Sequence, residues 1–316
     1  MLLLVNYRPE YQHSWGGKTY YTQLRLDPLG KEQAEEMLTA LLGAASESPL
    51  PRGERARVRV IDNDLSALKR FILDKTEGNP FFMEEIVQSL REQGLLDRDD
   101  VGARRAVPPP TELRIPTTVQ GVLTARMDRL PLEEKTLLQT LAVIGREFGA
   151  SLLRKVVDQP EAELLGLLSR LQASEFIYEQ PAFPEVEYIF KHALTQEVAY
   201  NSLLIERRKA IHERTAQAME DVYRSRLDDH YSELAHHYSR SGNTQKAVDY
   251  LQLAGQQAVQ RSANAEAITH LTSALELFKA LPDTLERAQQ ELTLQVALGP
   301  ARSRKHAPYS LKHTAC

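Results

Sequence analysis

The sequence has a single cysteine, Cys316, at its last position. A single cysteine forms neither an intrachain disulfide nor a cysteine cage for a metal ion. Such cysteine usage is typical of a reducing compartment, and we expect a cytoplasmic protein. The apolar runs fall far short of the roughly 20 residues of a membrane-spanning helix. The apolar start, Leu2 to Val5, is too short for a signal peptide and lacks its basic flank.

The sequence also lacks a strong excess of charge of either sign, because its net charge is only −4 over 316 residues. A chain of this balance has no general attraction to nucleic acid or to anionic membranes. The length predicts two or three domains.

The sequence lacks a loop that could hold phosphate. Gly17-Lys18-Thr19 ends like a P-loop, but Gln12 stands where the first glycine is needed. A predicted strand, Tyr20 to Leu26, follows instead of a helix, and no acidic strand end is placed to bind magnesium. Serine–histidine and cysteine–histidine pairs for nucleophilic catalysis are likewise not indicated. We therefore expect a protein without enzymatic activity and without a cofactor of its own.

The first hundred residues read as part of an α/β domain. Leu2 to Val5 has the uniform apolarity of a strand buried on both faces of a parallel sheet. Such a strand needs neighbours, which we expect upstream of Met1. The sequence therefore suggests a truncated P-loop ATPase remnant with a helical lid over residues 1–97.

The helices of this lid have clear sequence signals. Apolar spacing predicts a helix over 31–42, a loop over 47–59 and a second helix capped by Asp62 or Asp64. Gly78 is expected to end that helix and Pro80 to start the next one. Glu84 and Glu85 are expected on the exposed face of this third helix.

Residues 98–115 contain three consecutive prolines and predict a stiff linker. Residues 116–206 predict helices at 119–129, 132–144, 150–157 and 161–173, then a hairpin of strands 176–179 and 186–190. This order matches a winged-helix domain. A long helix is expected from about Leu194. Eight Lys and Arg against thirteen Asp and Glu make this domain acidic, so we expect no DNA readout.

Residues 207–298 predict helical hairpins. Ser241-Gly242-Asn243 has the composition of a helix–helix turn, and residues 246–251 are partly repeated at 266–271. This pattern is typical of degenerate tetratricopeptide-like repeats or of an irregular α-solenoid. The predicted fold is therefore mainly α. The basic segment 299–316 is expected to be a disordered tail.

Few residues stand out as candidates for ligand contact. Arg8 follows the first predicted strand, where ligands of open α/β sheets bind, although a surface arginine fits the spacing as well. Pro80 would place a rigid ring at a helix start, or serve in capping alone. His192 opens a helix and could contact a phosphate, cap the helix or be purely structural. His236 and His237 are adjacent, so they should point to different faces rather than share a metal.

Several segments together resemble the second half of STAND-type AAA+ ATPases, as found in bacterial regulators that join a cyclase or kinase domain to an ATPase and tetratricopeptide repeats. The segments are 2–11 (LLLVNYRPEY), 24–29 (LRLDPL), 77–85 (EGNPFFMEE), 115–123 (IPTTVQGVL), 126–131 (RMDRLP), 190–194 (FKHAL) and 233–238 (ELAHHY). The resemblance covers residues 1 to about 300.

The resemblance implies roles for three residues. Arg8 matches the sensor arginine, Pro80 the proline that packs on the nucleotide base, and His192 the winged-helix histidine that reads the β-phosphate of ADP. The intact family uses ATP or ADP with magnesium, but its P-loop, magnesium-binding aspartate and cyclase domain would precede Met1. We therefore expect a non-catalytic regulator fragment that binds protein partners through its helical repeats. The alternatives are a subunit that completes a nucleotide site in trans and, less favoured by charge, a winged-helix transcription regulator.

Overall fold

The computed structural model describes residues 28–42, 55–96, 115–157, 159–182, 185–279 and 285–306. The chain divides into two compact units, residues 1–119 and 120–316. The described parts are mainly helical, with thirteen α-helices and one small sheet. Among these described helices, none combines the length and the apolarity needed to cross a bilayer.

Three helices are described in the first unit: α1 (Lys31–Leu41), α2 (Arg55–Thr76) and α3 (Pro80–Glu92). Each helix contacts the other two. Their core consists of fully buried apolar side chains, namely Ala34, Leu38, Leu68, Ile72, Met83, Ile86, Val87 and Leu90. The guanidinium of Arg91 on α3 donates to the carbonyl of Leu41, which caps the end of α1.

The segment Gly78-Asn79-Pro80 joins α2 to α3. Gly78 has φ of +78°, and a Cβ there would lie 2.4 Å from the carbonyl oxygen of Leu29. The Asn79 side chain accepts a hydrogen bond from the amide of Phe82 at 3.1 Å, and Pro80 occupies the first helical position. The predicted end of α2 and start of α3 are confirmed. Gly78 allows the left-handed backbone, Asn79 caps the helix, and the rigid ring of Pro80 suits the first helical position.

Three predictions for this unit were wrong, one of them being the loop over 47–59, since residues 55–59 belong to α2. The second helix begins at Arg55, so Asp62 and Asp64 lie inside α2 and do not cap it. Glu85 is buried, with 1% of its surface exposed, and so it does not lie on an exposed face of α3. The predicted strands 2–5 and 20–26, the glycine–lysine loop and Arg8 lie outside the described residues, as does nearly all of the predicted linker.

The second unit begins with a helical layer and a small sheet. Its elements are α4 (Val119–Arg129), α5 (Leu132–Ile144), β1 (Glu147–Gly149), α6 (Ala150–Val156), α7 (Glu161–Ala173), β2 (Ile177–Gln180) and β3 (Glu187–Phe190). The predicted helices and the hairpin are confirmed, whereas β1 was not foreseen. The strands are antiparallel in the order β1-β3-β2, with Phe148 opposite Tyr188 and Ile177 opposite Phe190.

Side chains from distant positions close the helix ends of this layer. Arg126 on α4 is buried and donates from Nη2 to the carbonyl oxygen of Ser174 at 2.6 Å, at the end of α7. Its guanidinium also lies 4.6 Å from the ring centre of Phe176. Glu185, from the segment between β2 and β3, accepts hydrogen bonds from the amide and hydroxyl of Ser151 in the first turn of α6.

The remaining elements are helical: α8 (Ala193–Asn201), α9 (Ile205–Val222), a 3-10 segment (Arg224–His230), α10 (Tyr231–Ser241), α11 (Thr244–Gln260), α12 (Asn264–Phe278) and α13 (Leu285–His306). The expectation of one long helix from Leu194 was wrong, because residues 202–204 separate α8 from α9. The break lets the amide of Ser202 close α8 while the backbone of Leu204 is extended at the start of α9.

Helices α9 to α13 form a stack in which each helix packs mainly against its sequence neighbours. Gly242 is left-handed (φ +95°) and Asn243 caps α11 by accepting from the amide of Lys246, which confirms the predicted turn. The partial repeat at 246–251 and 266–271 falls on the successive helices α11 and α12. Helix α13 continues past Gly299 to His306, which differs from the expected tail.

The predicted domain boundary at 206 and 207 lies within the first turn of α9. One buried core continues across it, from Leu138 and Phe176 of the sheet-containing layer to Met219 on α9 and Tyr238 on α10. The layer and the helical stack therefore share their apolar interior.

The close approach of α11 and α12 gives a test of the stack. A Cβ at Gly255 would lie 2.7 Å from two atoms of the Leu271 side chain, which is fully buried. Gly255→Ala should therefore lower the free energy of unfolding by about 1–3 kcal/mol. The control is Gly166→Ala in α7, where the nearest atom is 3.5 Å away, and it should raise stability by about 0.5–1 kcal/mol. Urea unfolding measures both, and equal signs would contradict the packing.

Candidate functional site

A groove of about 1010 Å³ lies in the second unit, among the end of α5, β1, α8, α9 and α10. Its floor includes buried apolar side chains from three of these elements and from α6, namely Ile144, Phe148, Met219 and Leu152. Its polar lining includes Tyr200, His212, His237 and Arg240. The groove combines an apolar floor with a few converging polar groups, as ligand sites commonly do.

A chain of hydrogen bonds crosses the floor from α8 to α5. The hydroxyl of Tyr200 lies 3.0 Å from Nε2 of His212, and Nδ1 of His212 lies 2.9 Å from Nδ1 of His237. His237 also has a hydrogen bond with the main chain of Ile144, the last residue of α5. Only 1% of the surface of His212 and 5% of that of His237 is exposed.

The geometry assigns a direction to this chain. The bond to Ile144 raises the pKa of His237, so it stabilises the charged ring and the carbonyl oxygen must be its acceptor. His237 therefore donates from Nε2, and its neutral ring accepts at Nδ1. His212 then donates from Nδ1 and accepts the hydroxyl proton of Tyr200 at Nε2. Every hydrogen-bonding atom of the two imidazoles is thus used by one consistent set of neutral tautomers.

This chain serves the buried end of α5. The last carbonyls of a helix have no partner within it and need donors from elsewhere. Gln196 on α8 donates to the carbonyl of Ala142 at 3.1 Å, and His237 on α10 reaches that of Ile144. Side chains from two other helices thereby fix the position of α5.

Both imidazoles of the chain are neutral at ordinary pH. Burial lowers the pKa of His212 to about 3, with further lowering from His236, Arg240 and Arg208. Burial likewise lowers the pKa of His237 to about 3, with smaller effects from its two histidine neighbours and Arg240. The floor of the groove therefore carries no positive charge from these rings.

His236 is exposed beside this pair and accepts at Nδ1 from Arg240 at 3.1 Å. Its ring centre lies 6.0 Å from that of His212 and 5.4 Å from that of His237. Within the part of the chain that the structure describes, no group of three or more His, Cys, Asp or Glu residues is arranged to hold a metal ion.

The residues singled out from the sequence lie elsewhere. Pro80 belongs to the first unit, at the start of α3, and His192 belongs to the second unit, directly before α8. Arg8 lies outside the described residues. His192, which shares the second unit with the groove, does not line it.

His192 lies in a cationic environment. It is half-buried, and it makes no side-chain capping bond to α8, so the capping interpretation was wrong. Burial lowers its pKa to about 4, and the charges of Lys191 and Arg146 lower it further. Lys191 in turn pairs with Glu175 at 2.5 Å. A neutral imidazole beside two cations is compatible with an anionic ligand.

Sequence reasoning missed Tyr200 and His212 as site residues. A signal was present for His212, because it shares the buried face of α9 with Thr215, Ala216 and Met219 at helical spacing. A histidine on such a face needs polar partners, but its partner His237 is 25 residues away and could not be identified from spacing.

The chain is similar in sequence to a distant bacterial relative. The chain is 24% identical over 301 residues to an uncharacterized protein of Rhizobium meliloti (strain 1021), an alignment that includes 95% of this chain. The chain spans about a quarter of that relative's length, with 27% covered. No protein-family model matches the chain.

The neutral histidine pair makes stability depend on pH. The folded state holds the pKa of His212 and His237 near 3, below the ordinary value of 6.5, so the unfolded state binds more protons between these values. The free energy of unfolding should be unaffected by the pair above pH 6.5. It should fall on acidification by up to about 1.4 kcal/mol per pH unit for each histidine.

Urea titrations between pH 7 and pH 5 measure this dependence. His237→Gln keeps a donor for the Ile144 carbonyl and removes one titrating ring, so its slope should be shallower than that of the wild type. Identical slopes in the two proteins would show that the pair does not titrate as described.

Proposed function

We propose that this chain is the sensor and partner-binding part of a STAND-type signalling regulator and acts without catalysis, through protein contacts of its helical stack. The layer α4 to β3 would be its winged-helix domain, and α9 to α13 would be its tetratricopeptide-like repeats. Intact relatives of this kind would supply the nucleotide-hydrolysing machinery. The R. meliloti protein, about three and a half times as long as this chain by its alignment, is consistent with such a larger assembly.

The topology of the second unit supports this proposal. Two helices precede β1, two more separate it from the β2–β3 hairpin, and β3 lies in the middle of the sheet. A helical core followed by an antiparallel hairpin is the order that the sequence suggested for a winged helix. The stack that follows is quasi-one-dimensional, with contacts mainly between successive helices, as in repeat proteins that present extended binding surfaces.

The observation that carries the proposal is the face of α13 that no described helix covers. Leu294 and Leu298 of α13 are buried against the stack, with 0% and 4% of their surface exposed. Leu292 and Val296, one turn apart on the other side, are 62% and 67% exposed. In a helical stack, this is where a further helix would pack, so the α13 face offers an apolar docking surface.

The docking role predicts a selective effect of two substitutions. The wild-type chain, immobilised as bait, should retain specific proteins from an extract of its own cells. The double variant Leu292→Glu, Val296→Glu should retain at least about tenfold less of them, because two charges would have to be desolvated. Quantitative mass spectrometry of the retained proteins measures the loss.

The matched control is Leu204→Glu, Ile205→Glu, which changes two side chains that are 79% and 67% exposed at the start of α9. This control should retain the same proteins as the wild type. Both double variants should keep the wild-type melting temperature, since the altered side chains are exposed. Equal retention by both variants would rule out the α13 face as the docking surface.

The cationic environment of His192 favours a second candidate, in which the chain binds a nucleotide phosphate and completes a site in trans. Arg146 and Lys191 both act on the His192 ring, and the imidazole is neutral. These two cations would attract a phosphate, and the neutral imidazole could donate a hydrogen bond to it.

Isothermal titration separates the two candidates. The first predicts no measurable heat with millimolar ATP or ADP and magnesium, because one histidine and its neighbours provide no phosphate-binding loop. Micromolar ADP binding that His192→Ala abolishes and His230→Ala preserves would favour the second candidate. ATP hydrolysis above the background of the His192→Ala chain would contradict the non-catalytic proposal.

A further inference from the structure

The rim of the groove carries an excess of negative charge. Its lining includes four glutamates, Glu147, Glu187, Glu197 and Glu233, against one arginine, Arg240. Among the described residues, Glu147, Glu187 and Glu197 have no ion-pair partner. The guanidinium of Arg240 is directed to Nδ1 of His236. The rim therefore exerts a field that attracts cations.

Tyr223 lines one end of the groove, where two of these carboxylates, Glu187 and Glu233, act on its hydroxyl. Burial raises the pKa of the Tyr223 hydroxyl, and the negative charges of Glu185, Glu233 and Glu187 raise it further. The ring of His230 stacks on Tyr223 with the ring centres 3.8 Å apart, and Nδ1 of His230 lies 2.8 Å from Oε2 of Glu233.

This end of the groove already attracts a cation of the chain itself. The guanidinium of Arg226 lies 5.5 Å from the ring centre of Tyr223. Arg226 is exposed and has a non-helical backbone (φ −143°, ψ 42°), so it does not belong to a regular helix face. An aromatic ring in the field of carboxylates attracts arginine and lysine side chains, as the position of Arg226 illustrates.

The floor between the charged edges suits the apolar part of a peptide. Phe148, Leu152 and Met219 provide apolar surface, and the neutral rings of His212 and His237 add no charge that would repel a cation. A volume of about 1010 Å³ accommodates several side chains of a peptide segment. The charge of the rim disfavours phosphates and nucleic acid.

We propose that this groove binds a lysine- and arginine-rich peptide segment of a protein partner, with its basic side chains at the four rim glutamates and its apolar side chains on the floor. This surface is separate in residue content from the α13 face, so the inference does not rest on the proposed function. It gives the second unit a partner of defined charge.

Fluorescence anisotropy tests the inference with two labelled peptides, AKLRAKLRAKLR as the basic probe and AELEAELEAELE as its acidic counterpart. At about 50 mM salt, the full chain should bind the basic probe and not the acidic one. Electrostatic contacts at a rim weaken with salt, so the affinity should fall about tenfold or more by 300 mM salt.

The decisive comparison is between two triple variants of equal net charge. Glu147→Gln, Glu197→Gln, Glu233→Gln removes three charges from the groove and should weaken binding of the basic probe by at least about tenfold. Glu163→Gln, Glu206→Gln, Glu276→Gln removes three exposed charges that do not line the groove, and should weaken it less than about twofold.

All six side chains are exposed, so both variants should keep the wild-type melting temperature and remain testable. Equal weakening in the two variants would show a diffuse effect of net charge and overturn the site. Binding of the acidic probe as tight as that of the basic one would overturn the proposed chemistry.

Discussion

The buried end of helix α5 is the constraint on which the second unit depends. Ala142, Val143 and Ile144 are almost fully buried there, and a buried carbonyl group needs a hydrogen-bond partner. Gln196 and His237 donate to the first and last of these carbonyls from α8 and α10. The need of one helix end for hydrogen-bond donors therefore helps to place α8, about 50 residues later in the chain, and α10, about 90 residues later.

The histidine pair extends this constraint into a continuous polar path. Because His237 donates to a main-chain carbonyl, His212 must donate to His237, and Tyr200 must donate to His212. A fully satisfied network in an apolar core is compatible with only one arrangement of its members. The same rings line the acidic groove, so the hydrogen bonds at the end of α5 also fix part of the groove's floor.

The sequence was most informative where structure is decided locally. Asn79 and Pro80 at the start of α3 and Gly242 between α10 and α11 were readable because capping and left-handed backbone depend on the residue itself. The bounds of α4, α5 and α7 followed from helical spacing and flanking residues.

The missed features depend on contacts between distant residues. Strand β1 has three residues and exists because it pairs with β3, about 40 residues later. Glu85 is buried, and its burial depends on the tertiary surroundings of α3, which spacing within α3 could not reveal. Tyr200, His212 and His237 acquire their roles only when α8, α9 and α10 meet. Of the residues chosen from the sequence, His192 lies near cations, while the sensor roles of Arg8, Pro80 and His192 stay predictions.

The serial order of the stack has a mechanical consequence. Helix α13 packs mainly on α12, α12 on α11, and α11 on α10, which carries His237. A displacement imposed at the outer helix must therefore be transmitted through three interfaces in turn before it reaches the imidazole that holds α5. Between α11 and α12, a Cβ at Gly255 would lie 2.7 Å from the Leu271 side chain, so these two helices pack closely. The stack therefore connects its outer helix to the end of α5 through His237, whereas Gln196 on α8 holds the same helix end from outside the stack.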